Sequence, residues 1–176
     1  MKCNLIVAAA ICLCAAGGAP GDVADSSANG FTAKVTLNIQ APPAEVYRKL
    51  IRNVGEWWDS AHTFSGNAHN LTIDEKPMGC FCEKLPNGGV RHMEVVRFDP
   101  AKTIVMIGAL GPLQSMAVTG SLTVVFTTVN GGTKLEVTYA VSGYAPQGLK
   151  ELAPVVDSVI TGQFVRLKNY AEQGTP

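Results

Sequence analysis

Leu149, Leu152, Val156, Val159, Ile160, Phe164 and Leu167 recur at three- and four-residue steps out to Tyr170, which is the spacing of one apolar stripe along a long helix. Such a stripe has to lie against something, and most of the chain before it reads as strand. Residues 31–40 alternate cleanly, with Phe31, Ala33, Val35, Leu37 and Ile39 on one face and polar residues on the other. Pro42-Pro43 then opens a helix through Val46, Tyr47, Leu50 and Ile51 that Asn53-Val54-Gly55 ends, and a second short helix or turn carries Trp57-Trp58. From residue 71 a series of strands follows, at 71–74, 80–85, 90–98, 103–109, 118–129 and 133–141, broken by Gly, Pro, Asn and Asp. Leu122, Val124 and Phe126 face the same core as Leu135, Val137, Tyr139 and Val141. The expected fold is α+β: a bent antiparallel sheet of about six to seven strands around the C-terminal helix, with two short helices after strand one.

The start of the chain reads differently. Lys2 precedes an apolar run at residues 5–16, and small residues follow at Ala16-Gly17-Gly18-Ala19. A run of that length is too short to span a bilayer, which needs about 20 residues. Residues 1–28 are therefore expected to be a signal peptide and a short, polar, strand-poor leader, cleaved between 17 and 28. Residues 31–172 form a single domain. The protein is expected to be exported, periplasmic or secreted, with no membrane span. A lipid anchor at Cys14 is the alternative, which the bulk of Leu13 disfavours. Three of the five cysteines fall in the leader. Cys80 and Cys82 are expected to be buried free thiols, because residues two apart on a strand lie near the outer limit of disulfide geometry. Fourteen basic and fourteen acidic residues cancel, with no long basic block, so nucleic acid is not an expected partner.

Four segments carry a resemblance: Trp57-Trp58-Asp59-Ser60-Ala61-His62-Thr63-Phe64-Ser65-Gly66, Gly79-Cys80-Phe81-Cys82-Glu83, Gly108-Ala109-Leu110-Gly111-Pro112-Leu113-Gln114 and Val155-Val156-Asp157. With the order of elements, they resemble an exported branch of the SRPBCC or START-like superfamily over residues 31–172. That group includes polyketide cyclase-like proteins, pollen-allergen-like carriers and activators of a heat-shock chaperone ATPase. The resemblance implies a helix-grip fold with an apolar cavity between the bent sheet and the last helix. Trp57, Trp58 and His62 would then lie near the cavity mouth, as a lid over the core or as stacking partners of a ligand.

Tyr139, Val156 and Ile160, with Leu122 and Val124, are expected to face ligand or core. Gln163 falls on the apolar stripe, where a buried amide must find a partner, either a ligand or a strand carbonyl. Asp157 flanks the stripe as a rim or capping charge, or as an acid. Glu83, His92 and Glu94 sit on neighbouring strands, with His92 and Glu94 sharing a face. They are material for acid-base chemistry, or else a cross-strand pair on the solvent face. Leu110 and Leu113 form a loop that gates a pocket or simply packs. Two cysteines with no second pair are weak ligand spacing, so no metal is expected, and no cofactor motif is present. Asn70-Leu71-Thr72 matches a glycosylation pattern that matters only in a eukaryotic secretory route. The expected function is binding or carrying a small hydrophobic, lipid or polyketide-like molecule. The alternatives are a cyclase- or dehydratase-like enzyme using His62 or His92 with Glu83, Glu94 or Asp157, and an interaction module like the chaperone activators.

Overall fold

In the computed structural model, residues 22–176 are described; the apolar run at 5–16 and Cys14 lie outside them. One open antiparallel sheet holds eight strands: β1 (Asp22–Ser27), β2 (Gly30–Ile39), β3 (Leu71–Ile73), β4 (Gly79–Leu85), β5 (Gly88–Asp99), β6 (Thr103–Ile107), β7 (Ala117–Val129) and β8 (Gly132–Tyr144). Their order is β1-β2-β8-β7-β6-β5-β4-β3, so β2 pairs with the last strand and the meander runs back from it. Two short helices, α1 (Pro43–Arg52) and α2 (Val54–Trp57), link β2 to β3, and α3 (Ala153–Gln173) closes the chain.

The alternation of β2 buries Phe31, Ala33, Val35, Leu37 and Ile39 on the side facing the helices. Pro43 starts α1, where a missing N–H costs nothing, and Lys49 near its end donates to the carbonyls of Tyr170 (3.3 Å) and Ala171 (3.0 Å) on α3. Gly174, at φ 78°, ends α3 in the left-handed conformation that favours glycine.

Two expectations are corrected here. The first is that the stretch before Asn29 lacks strands. Asp22–Ser27 pairs with β2 from Asp22↔Lys34 to Ser27↔Gly30, bringing the sheet to eight strands. As an edge strand it is mostly exposed and polar, so no hydrophobic period marks it. The turn after it is tied in as well: the Leu149 N–H donates to the Ala28 carbonyl (2.9 Å) ahead of α3. The second concerns the free thiols. Cys80 and Cys82 form a disulfide, their Cα atoms 5.2 Å apart, half-buried on the outer face of β4. A regular strand would hold Cα atoms two residues apart at about 6.6 Å, so β4 is locally contracted at Cys80–Cys82, beside the register shift in its pairing with β5 between Phe81 and Cys82.

The helix α3 changes role along its length. Phe164, Leu167 and Ala171 are buried in the core, as are Ala153 and Ile160 nearer its start, while Val155 is exposed and Val156 only partly buried. A gap opens beside these two.

Candidate functional site

The gap under the first half of α3 is a cavity of about 450 Å³. Val155, Val156, Val159 and Ile160 of α3, with Leu152 just before it, form one wall. Trp58, Ala61, His62, Thr63 and Phe64 form a second, and Leu110, Gly111, Pro112, Leu113 and Met116 a third. His92 of β5 is the sheet's contribution.

The position of His92 comes from a bulge. Phe81 pairs with Met93, but Cys82 pairs with Arg91, so His92 is an extra residue on β5. His92 and Met93 are consequently both buried on the inner side, and Glu94 is turned outward to Arg91 at 2.9 Å. This corrects both sequence expectations, that His92 and Glu94 share a face and that Glu83 and His92 meet in solvent. Bulges re-aim side chains in this way because the extra residue breaks the two-residue alternation. The loop after β6 packs against the same spot: a Cβ on Gly108, at φ 153°, would collide with the His92 carbonyl.

Inside, Glu83 Oε2 lies 3.0 Å from His92 Nε2, and both residues are buried. The same carboxylate accepts the backbone N–H groups of Phe64 (3.0 Å) and Ser65. Burial alone would raise the Glu83 carboxyl, but the hydrogen bonds from Ser65, Phe64 and His92 outweigh it and hold the group below its ordinary value. Burial pushes the His92 imidazole down, against the pull of Glu83. Near neutral pH the pair is thus a carboxylate and a neutral imidazole whose Nε2–H donates to Glu83. Phe64 stacks on the His92 ring at 5.9 Å and Phe81 packs at 5.2 Å, fixing the ring plane.

Of the nine residues expected to bind ligand, Trp58, His62, His92, Val156 and Ile160 line the cavity. Trp57, Glu83, Tyr139 and Gln163 do not, and each is instead spent on holding a wall in place. Trp57 is a core residue, 5.5 Å from Trp58 and 6.0 Å from Phe164, and its Nε1 donates to the Lys49 carbonyl (3.2 Å). Glu83 ties down the loop at 64–65. Gln163 accepts the Asp59 N–H through Oε1 (2.9 Å), and Arg166 donates to the Trp57 carbonyl (2.9 Å). Tyr139 accepts the Leu110 N–H at 3.1 Å behind the third wall, and burial pushes its phenol up to about 12. Asp157 is buried and also outside the cavity lining.

Phe64 and Val155 enter the sequence reading only within the segments that carry the resemblance, not as candidate site residues, and Met116 does not enter it at all. Val155 lies one position off the helical stripe and is largely exposed, as is Phe64, so neither bears a core signature. Few polar side chains reach the cavity, and most are already engaged. Trp58 Nε1 donates to the His62 carbonyl (3.1 Å), and Thr63 Oγ1 to the Ser60 carbonyl (2.8 Å). His62 is exposed at the rim. Among the described residues no cluster of three or more His, Cys, Asp or Glu side chains is arranged to hold a metal ion, and no helix is long and apolar enough to cross a membrane.

Among solved structures, the chain is similar to a conserved protein of unknown function from Enterococcus faecalis. Identity there is 14%, the TM-score is 0.58, and the match covers 89% of this chain and 79% of that one. It is similar to Ara h 8.0201 at 15% identity and a TM-score of 0.56, covering 81% and 97% of the two chains. It is also similar to the Aha1 dimer from Colwellia psychrerythraea at 17% identity and a TM-score of 0.53, covering 82% and 98%. No family model matches the sequence, and no curated protein matches it.

Proposed function

We propose that this protein, whose fold is the helix grip of the SRPBCC or START-like superfamily, binds a small hydrophobic molecule beneath α3 and does so outside the cytoplasm. The observation that carries the binding reading is the cavity itself, about 450 Å³ with almost wholly apolar walls. That volume suits a small molecule. Burying about 300 Å² of ligand carbon at ~25 cal/mol/Å² gives roughly 7 kcal/mol before ordering costs, enough for useful affinity with few polar contacts. Export is supported by the apolar run at 5–16 and by the Cys80–Cys82 disulfide, since such bonds persist in oxidising compartments.

The buried Glu83–His92 pair favours a second reading, an enzyme that withdraws a proton from such a ligand. Binding is preferred because the other buried polar side chains around the cavity serve its walls rather than its interior.

The binding reading is tested by titrating the purified protein with the neutral fluorescent probe N-phenyl-1-naphthylamine. Saturable binding of one molecule is expected, and Val156→Trp, which fills the cavity, should weaken it by about tenfold or more while circular dichroism stays that of the wild type. Equal binding by the wild type and a folded Val156→Trp protein, or no binding by the wild type, counts against it.

A further inference from the structure

His92 brings a polar ring to an otherwise apolar cavity, and its chemistry restricts what fits there. One ring nitrogen, Nε2, is committed to Glu83 at 3.0 Å. That commitment is firm because Glu83, 1% exposed, is kept ionised by two backbone N–H groups besides the imidazole. A carboxylate only accepts, so it fixes the imidazole tautomer with hydrogen on Nε2 and leaves Nδ1 a bare lone pair. Among the described residues, the one hydrogen bond of the His92 side chain is that of Nε2, and Nδ1 is not sealed from the cavity: the fully buried side-chain atoms without a partner are Asp157 Oδ1 and Thr161 Oγ1. The Trp58 and Thr63 donors nearby are directed to backbone carbonyls, so neither relieves it.

We infer that the molecule taken up here carries a hydrogen-bond donor, a hydroxyl on an otherwise apolar frame, and that this hydroxyl donates to His92 Nδ1. The inference rests on the binding reading above and narrows its ligand class. An acceptor that a ligand seals from water and leaves unpaired is costly, so a site of this kind discriminates against a ligand that brings no donor. An ether in place of the hydroxyl is worse than neutral, since it sets two acceptors against each other. Phe64 and Phe81 hold the imidazole plane, so the direction of the lone pair is set before the ligand arrives. His92 is the specificity-determining residue, and Glu83 is a positioning residue that acts through it.

Calorimetric titration with 2-naphthol and 2-methoxynaphthalene, which differ in the donor and share the frame, tests this directly. The wild type is expected to bind 2-naphthol about tenfold or more tightly than the ether. In His92→Phe that preference should fall to within about twofold, with the ether bound at least as well as before. His92→Leu serves if the phenylalanine variant does not fold, and the wild-type comparison stands without either. Equal affinities in the wild type overturn the inference and leave the binding reading intact, as does a preference that survives loss of the imidazole. If the wild type binds neither naphthalene nor N-phenyl-1-naphthylamine, the binding reading falls and this inference falls with it.

Discussion

Asp157 lies on α3 with 9% of its surface exposed, and among the described residues its Oδ1 has no hydrogen-bond partner. Burial first, and the charge of Asp22 second, hold its carboxyl above the ordinary value of 3.8. The folded state therefore keeps the proton more tightly than the unfolded one. The stability linked to that proton is fully present below about pH 3.8 and is lost as pH rises through the raised value. Asp157→Asn should consequently be more stable than the wild type at pH 7, by about 1 kcal/mol, with the gap closing toward pH 4. Thermal melts at the two pH values check this, and a variant no more stable than the wild type at pH 7 refutes it. Such residues were partly legible in the sequence. Gln163 stood out because an amide on an apolar stripe needs a partner. That the partner is the Asp59 N–H, 104 positions away, is a fact of packing that no local pattern encodes.

At the level of elements, helices and strands followed from period and turn chemistry wherever the alternation was regular. It failed at β5, where an extra residue reverses the faces and brings His92 inside. A bulge leaves the composition of a strand unchanged, so nothing in the run of residues 88–99 distinguishes it. The β7–β8 pair shows the converse, a small residue whose reason appears only across strands. A Cβ on Gly120 would lie 2.6 Å from Tyr139 Cε2, so the glycine leaves room for the ring whose hydroxyl holds Leu110. Gly120→Ala should cost about 1–3 kcal/mol by displacing that ring, and it should loosen the cavity wall at 110–116. Urea denaturation gives the first quantity, and wild-type stability in the alanine variant argues against the role.

On the scale of the whole molecule, α3 is held on the core by Phe164, Leu167 and Ala171 through its second half, whereas in its first half Ala153 and Ile160 reach the core and Val155, Val156 and Val159 border the cavity. Backbone over a void is backed by fewer apolar contacts, so local opening is easier there. Amide exchange should be about tenfold faster at Val159 than at Phe164 and Leu167, and a bound naphthalene should slow Val159 more than the other two. Uniform protection along the helix contradicts this division. The sequence by itself determined the layers: alternating strands, two short helices and a terminal amphipathic helix can bury their apolar faces only by bringing sheet and helix together. It also marked which side chains point inward along regular strands. Only the tertiary structure decided that the contact is incomplete, that a bulge turns His92 into the gap, and that Glu83, Tyr139 and Gln163 brace its walls. The reason is physical: periodicity reports which face leaves water, whereas a cavity and the partner of a buried polar atom depend on how distant elements fit together.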